Sequence, residues 1–239
     1  MGLEIKNITT FNDRGAIRTR IEAKLLSKKE VSDRKIQVTS QELTKTIGIP
    51  VSLQLSGTET TTTLDKASTI VKDANTAFKD INKVIPTIKN GQELFKKLEA
   101  TGLKIVLRDG AVRGSDGKPL PDLQGGFIRS KNEIQVDLRG VGGATLPHEL
   151  GHAIDLVLLQ AKSIQDPAFS QIFSQEKQNF VRTFGFDVDH LYSDMDIQYR
   201  PTEYWAEAFA RFMVDNKKLE QATPQTYQYI KNRLSELLR

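Results

Sequence analysis

One short segment organises this chain: Pro147-His148-Glu149-Leu150-Gly151-His152-Ala153-Ile154-Asp155. Residues four positions apart lie on the same face of an α-helix, so His148 and His152 would present both imidazoles to one point, with Glu149 beside them. The whole chain has only three histidines, and two of them stand in this segment. The spacing therefore predicts a helix that binds a metal ion through two histidines.

Zinc is the metal that this pattern favours. In a hydrolytic site, zinc usually takes three protein ligands and leaves a fourth position for water, whose pKa it lowers to roughly 7. Glu149 would then be the general base that takes a proton from this water. The alternative is an ordinary helix with two solvent-facing histidines and a surface glutamate. We favour the metal site because a predicted strand precedes the motif and an acidic helix follows it.

Composition limits what the chain does. Its 239 residues are 38% hydrophobic and 27% charged, which suits a globular protein with a core. The absence of cysteine excludes disulfides, thiolate metal ligands and a cysteine nucleophile. The formal charge of +4 comes without a long basic run among aromatic residues, so we expect no nucleic-acid partner. We expect no membrane span either, because no apolar stretch approaches the required length of about 20 residues.

No early apolar run resembles a signal peptide. We therefore expect cytoplasmic synthesis, with association with a virion or delivery by a route other than general secretion.

Two regions are predicted, with their boundary after residue 63. Residues 1–63 are polar and mix short apolar pairs with Thr, Ser, Lys and Arg. A short helix over Ser40–Ile47 and a strand over Val51–Leu55 are expected there, but neither is expected to hold a core. This N-terminal arm is either flexible or extended, or it docks the protein onto a particle or protein partner. Residues 64–239 are predicted to form the catalytic domain.

The catalytic domain is predicted to be α+β, mostly helical with a small mixed sheet. Apolar residues recur at steps of three and four from Leu64 to Ile85, which predicts one helix that Pro86 ends. Asn90 is expected to cap a second helix. A strand at Leu103–Leu107 follows, and residues 126–138 predict a hairpin that turns at Ser130–Asn132.

A second motif lies about fifty residues after the histidines, in Pro201–Met213. Glu203 and Glu207 are four residues apart and share a helical face. The third histidine, His190, is interpreted as structural or surface. A metzincin would need Gly and a third His shortly after His152, but Asp155 and Leu158 occupy those positions.

The two motifs together resemble those of gluzincin metallopeptidases, in particular the catalytic domain of anthrax lethal factor and the Pro-Pro endopeptidases of clostridia. The resemblance rests on His148-Glu149-Leu150-Gly151-His152-Ala153-Ile154-Asp155 and Glu203-Tyr204-Trp205-Ala206-Glu207-Ala208-Phe209. It implies a zincin-like fold in which His148, His152 and Glu203 bind zinc and Glu207 lies behind them. It also implies a tyrosine that donates to the oxyanion, for which Tyr199 is the first candidate and Tyr192 the second.

The function that we expect is zinc-dependent hydrolysis of a protein or peptide, with Glu149 as general base and Tyr199 stabilising the oxyanion. The strand Ile134–Leu138 is the expected edge on which the substrate lies. One alternative is a structural or attachment protein of a virion or secretion apparatus that keeps the zincin fold. Another is a toxin-type effector protease that acts on a host protein. Glu149 favours an enzyme, since a purely structural zinc site needs no base.

Overall fold

The structure is a computed structural model that describes residues 2–13, 16–55, 61–86, 88, 91–193 and 195–238. Its strands are β1 (Gly2–Asp13), β2 (Ala16–Leu26), β3 (Val51–Gln54), β4 (Lys104–Arg108), β5 (Val112–Arg113), β6 (Pro119–Leu120), β7 (Gly125–Ile128) and β8 (Glu133–Asp137). Its helices are α1 (Lys28–Ile47), α2 (Thr61–Lys79), α3 (Ile81–Val84), α4 (Gln92–Ala100), α5 (Thr145–Ala153), α6 (Lys162–Gln165), α7 (Pro167–Phe184), α8 (Val188–Leu191), α9 (Arg200–Val214), α10 (Asn216–Ala222) and α11 (Pro224–Leu237). The α+β class with a small mixed sheet is confirmed.

The central sheet has four strands in the order β3-β4-β8-β7. Strand β4 runs parallel to both β3 and β8, whereas β7 runs antiparallel to β8. The predicted hairpin is confirmed as β7 and β8, joined by a 3-10 turn at Arg129–Lys131. The prediction that Ile134–Leu138 forms the edge is wrong, because β4 pairs with the other side of β8. The outer strand next to α5 is β7.

The apolar stripe predicted from Leu64 onward packs into the core. Val71 and Phe78 of α2 are fully buried, and Ile81 and Ile85 continue the same face past a break after Lys79. The ring of Phe78 stacks on that of Phe95 in α4, with centroids 4.2 Å apart. The cap predicted at Asn90 lies outside the described residues.

The division at residue 63 does not match the packing, and the prediction of a polar arm is wrong for residues 28–55. Helix α1 begins with a capping box, in which Ser27 and Glu30 bond each other's backbone N–H groups. Its last turns bury Leu43 and Ile47, and β3 extends the central sheet by pairing with β4. The sequence pattern is misleading here because α1 is polar over most of its length and buries only Leu43 and Ile47, in its last turns.

Residues 2–26 form a separate antiparallel hairpin, β1 and β2, with a bulge between Ile5 and Asn7. The bulge shifts the register by one residue, so Ile5 and Ile8 lie on the same face as Leu25. All three side chains are more than half exposed. Among the hairpin side chains whose burial the structure describes, Leu26 at the end of β2 is the buried apolar one.

The C-terminal half packs its helices around α9. The carboxylate of Glu176 in α7 is buried and accepts hydrogen bonds from the N–H groups of Gln225 and Thr226 at the start of α11. After α5, a π-helical turn over Ile154–Leu158 leads to α6, where Ser163 donates to the buried carboxylate of Asp155. None of the helices in the described ranges is long and apolar enough to cross a membrane.

Candidate metal centre

Helix α5 brings the two predicted histidines together. It begins at Thr145, so His148 and His152 lie one turn apart inside it. Their ring centroids are 4.9 Å apart. Leu150 and Ala153, on the other side of α5, are fully buried, which turns the imidazoles toward the cleft described below.

Helix α9 supplies the carboxylate between the two imidazoles. Glu203 Oε2 lies 3.4 Å from His148 Nε2 and 3.3 Å from His152 Nε2. One donor atom from each of these three residues lies within 4.8 Å of the other two. Among the residues that the structure describes, this is the one group of this kind.

The close approach of α5 and α9 depends on Gly151. A Cβ at this position would lie 3.0 Å from Ala206 Cα and 3.2 Å from Phe209 Cδ1. The indole Nε1 of Trp205 donates a hydrogen bond of 3.0 Å to the carbonyl of Gly151. The glycine between the histidines and the only tryptophan therefore hold the two helices in register.

Glu207 fixes the orientation of one imidazole. His148 Nδ1 lies 3.2 Å from Glu207 Oε2, and since a carboxylate only accepts, Nδ1 donates. With Nδ1 bound to Glu207, Nε2 is the nitrogen of His148 that faces Glu203 and remains for a metal ion. Arg211, one turn further along α9, donates to Glu207 Oε1 and holds that carboxylate in place. Sequence reasoning missed Arg211, although its spacing of four residues from Glu207 is a detectable signal.

The buried charges of the site favour a cation. Burial lowers the pKa of His148, but hydrogen bonds with Glu203 and Glu207 outweigh it and raise that pKa to about 10. Burial favours a high pKa for Glu203, yet both histidines outweigh it and hold its pKa well below the usual range. The carboxylates thus require positive charge beside them, which protons on the imidazoles or a metal ion could provide.

Glu149 faces the outer strand of the sheet. A Cβ on Gly125 would lie 2.7 Å from Glu149 Oε1, so only glycine allows β7 to come this close. The backbone N–H of Phe127 donates to the same carboxylate. Burial raises the pKa of Glu149. The paired Gly125 and Gly126 before Phe127 are the sequence signal for this approach, which sequence reasoning did not use.

A cleft of about 430 Å³ opens over these groups. Its walls are β7, α5, the start of α9 and the segment before α9, and its lining residues include Leu123, Ile128, His148, Glu149, His152, Leu156, Tyr192, Met195, Thr202 and Glu203.

The tyrosine in this cleft is Tyr192. Burial, followed by the charge of Glu203 and a hydrogen bond to it, raises the pKa of the Tyr192 phenol. Tyr199, the first candidate, is 47% exposed and does not line the cleft, so that assignment does not fit the structure. Tyr199 precedes α9 directly, and its backbone carbonyl accepts from Thr202. His190 is exposed on α8 and is not part of the cluster, as predicted.

The donor set fits a zinc ion. Two imidazole nitrogens and one carboxylate oxygen are the ligands of a hydrolytic zinc site that leaves a position open for water. A carboxylate behind a ligand histidine, as Glu207 is behind His148, is the usual support for such a ligand.

Comparisons with known proteins agree with these observations. A family model described as "Anthrax toxin lethal factor, N- and C-terminal domain" matches residues 126–233. A Pro-Pro endopeptidase of Clostridioides difficile (strain 630) is 28% identical over 214 residues, which covers 77% of this chain and 90% of that protein. The matched range runs from β7 into α11 and contains every residue of the cluster. The chain is therefore similar to lethal factor and to a Pro-Pro endopeptidase, and its α+β domain fits the zincin-like fold of the lethal factor family.

Proposed function

We propose that the protein is a zinc-dependent endopeptidase in which His148, His152 and Glu203 hold the metal. The observation that carries this proposal is the convergence of their three donor atoms within 4.8 Å, next to Glu149 and below an open cleft. The similarity to a protein named as an endopeptidase supports the same reaction class.

Each residue around the metal cluster has a separate role in the proposed reaction. When bound, zinc supplies a Lewis acid that lowers the pKa of a water molecule. Glu149 takes a proton from the attacking water and passes it to the leaving amine. Its carboxylate is held for this role by the N–H of Phe127. Glu207 keeps Nε2 of His148 free to act as a ligand.

The substrate strand adds itself to β7. Within the described ranges, β7 pairs with β8 on one side only, and its residues line the cleft beside Glu149. An extended peptide on such an edge gains main-chain hydrogen bonds along its length. The scissile carbonyl is then brought over the cluster, between Glu149 and Tyr192.

Tyr192 is the residue that we assign to the oxyanion. Its phenol lies in the cleft and stays protonated at neutral pH, because burial and Glu203 raise its pKa. A protonated phenol donates to a developing negative charge, and one such donor is worth about 100- to 1000-fold in rate. Tyr192→Phe removes this donor and keeps the ring.

The test compares the wild-type protein with Glu149→Ala in a library of unstructured peptides that includes Pro-Pro sequences, since the relative carries that name. Mass spectrometry identifies the new termini, and metal analysis gives the zinc content of each sample. We expect both proteins to hold about one zinc ion per chain and only the wild type to cut. Cleavage by Glu149→Ala at the wild-type rate, or zinc-loaded wild type that cuts no peptide, would contradict the proposal.

The partner surface that we propose is the N-terminal hairpin together with α1. Residues 1–45 contain ten Lys and Arg against six Asp and Glu, so they hold the whole formal charge of +4. This excess of positive charge in the sequence, together with the exposed Ile5, Ile8 and Leu25, suits an acidic protein surface.

Poly-glutamate is a simple probe for this surface. Full-length protein should bind poly-glutamate at low salt, and this binding should weaken as the salt concentration rises. A chain that begins at Leu26 should bind poly-glutamate at least tenfold more weakly than the full-length protein. Equal binding by the two chains would exclude the hairpin from this role.

A further inference from the structure

The segment that carries Tyr192 has few apolar anchors. It comprises residues 188–199, which form most of the connection between α7 and α9. Asp194 within it lies outside the described residues. Val188 is buried at its start, but Leu191, Ile197 and Tyr199 are 57%, 71% and 47% exposed. Packing therefore secures the beginning of the segment and the ring of Tyr192, which lies 6.2 Å from the ring of Phe186, but it does little to hold the residues that follow Tyr192.

Arg200 supplies the missing attachment through its guanidinium. Its Nη1 donates to Asp189 Oδ1 at 3.2 Å, and its Nη2 donates to the carbonyl oxygens of Ser193 at 3.1 Å and Met195 at 3.5 Å. These three acceptors stand before and after Tyr192 in the chain. The side chain of Arg200 is itself largely buried, whereas Asp189 and the carbonyl of Ser193 lie at the surface.

The other end of this attachment lies on the helix that carries the metal ligand. Arg200 is the first residue of α9, three residues before Glu203. The Tyr192 segment is therefore positioned relative to the same rigid helix that positions Glu203. Lys177 of α7 also pairs with Asp189, whereas the described carbonyls of Ser193 and Met195 accept from Arg200.

We propose that Arg200 is a positioning residue that holds the phenol of Tyr192 over the metal cluster. This inference rests on the proposed function, and it adds a residue that does not itself touch substrate or metal. A donor to an oxyanion is effective only when it is held in place, and a displacement of about 1 Å can cost roughly 100-fold in rate. A planar guanidinium that reaches a carboxylate and two carbonyls gives this fixation, whereas the point charge of lysine does not.

A double-mutant cycle tests the proposal in zinc-loaded protein. Tyr192→Phe, Arg200→Ala, Arg200→Lys and the double variant Tyr192→Phe/Arg200→Ala are compared in kcat, KM and zinc content. Arg200→Ala should lower kcat about 10- to 100-fold with KM and zinc content nearly unchanged. Arg200→Lys should recover little of this loss. The double variant should be no slower than Tyr192→Phe, because Arg200 acts through the phenol that is already absent.

A second readout does not depend on activity. Hydrogen-deuterium exchange of peptides that cover residues 188–199 should be faster in Arg200→Ala and unchanged in Arg182→Ala, an exposed arginine on α7 that bonds only within its own helix. This difference should appear with and without zinc.

The outcomes separate this inference from the proposed function. Additive losses in the double variant, or exchange in Arg200→Ala equal to that of Arg182→Ala, would overturn the role of Arg200 while leaving zinc-dependent cleavage intact. A wild-type protein without peptidase activity would instead overturn the proposed function, and the exchange data would still decide whether Arg200 holds the segment. A large drop in zinc content of Arg200→Ala would also overturn it, because Arg200 would then support the metal ligands.

Discussion

Two truncations test whether residues 28–55 belong to the catalytic core. The first chain begins at Thr62 and lacks the hairpin, α1 and β3. The second begins at Leu26 and lacks the hairpin alone, because it keeps the capping box of α1 and the buried side chain of Leu26. If the core is built as the structure shows, only the first truncation should abolish folding.

The magnitude follows from the side chains that are removed. Leu43, Ile47, Ile49, Val51 and Leu53 are all less than 9% exposed and belong to the apolar core. Burial of one such side chain contributes about 1.5 to 3 kcal/mol, so five contribute roughly 7 to 15 kcal/mol. Their deletion also uncovers the apolar surface that they cover on β4 and α2. The whole free energy of unfolding of a domain is about 5 to 15 kcal/mol, so the chain from Thr62 should not fold.

The chain from Leu26 should behave differently. Its described losses are exposed apolar side chains and two surface ion pairs, Arg34 with Glu4 and Lys24 with Glu30. Each such pair contributes about 1 kcal/mol or less. For a chain of this size, 1 kcal/mol shifts the Tm by about 2 to 4 °C.

Thermal unfolding monitored by circular dichroism, with zinc content measured on the same samples, tests whether each truncated chain folds. We expect a cooperative transition near the wild-type Tm for the chain from Leu26 and none for the chain from Thr62. A chain from Thr62 that unfolds cooperatively and binds zinc like the wild type would refute this account of the core.

Three substitutions extend these tests to the site and its support. Glu207→Gln replaces the charged acceptor of its histidine, so zinc affinity measured against a chelator should fall about 10- to 100-fold, and an unchanged affinity would count against its role. Gly151→Ala should cost about 1 to 3 kcal/mol in overpacking, partly offset by roughly 1 kcal/mol of helix propensity. Gly142→Ala is the control for Gly151→Ala, since nothing lies within 4 Å of a Cβ added at Gly142. Equal stability of these two variants in urea would argue against the close contact of α5 with α9. Glu176→Ala leaves the buried N–H of Thr226 without its acceptor, at about 1 to 3 kcal/mol, and also removes the acceptor of the less buried N–H of Gln225. The exposed Glu220→Ala should change the free energy of unfolding by less than about 0.5 kcal/mol. Similar urea midpoints for Glu176→Ala and Glu220→Ala would contradict the buried contact between Glu176 and the start of α11.

The metal-binding face of α5 could be predicted because it depends only on the spacing of neighbouring residues in the sequence. His148 and His152 are four residues apart, and a helix of 3.6 residues per turn leaves them one orientation relative to each other. The same holds for Glu203 and Glu207 on α9. Their meeting across two helices came from the family resemblance, since nothing local in the sequence brings α5 to α9.

The errors arose where partners are distant in sequence. The alternation of Ile134 and Val136 predicts a strand, but it does not reveal that β4 covers the other side of β8 and leaves β7 as the edge. Tyr199 and Tyr192 both precede α9, and the sequence does not reveal which of them lines the cleft. The course of this irregular segment depends on contacts such as those of Arg200. The N-terminal residues have the pattern of a polar arm because α1 buries only Leu43 and Ile47, near its end.

The central claim is that His148, His152 and Glu203 together bind zinc, and anomalous diffraction tests it most directly. Crystals of the full chain grown with zinc would be measured on both sides of the zinc absorption edge. The account predicts one strong anomalous peak at about 2.0 to 2.2 Å from Nε2 of each histidine and from a carboxylate oxygen of Glu203. A peak held by Glu207 in place of Glu203, or no peak between α5 and α9, would contradict it.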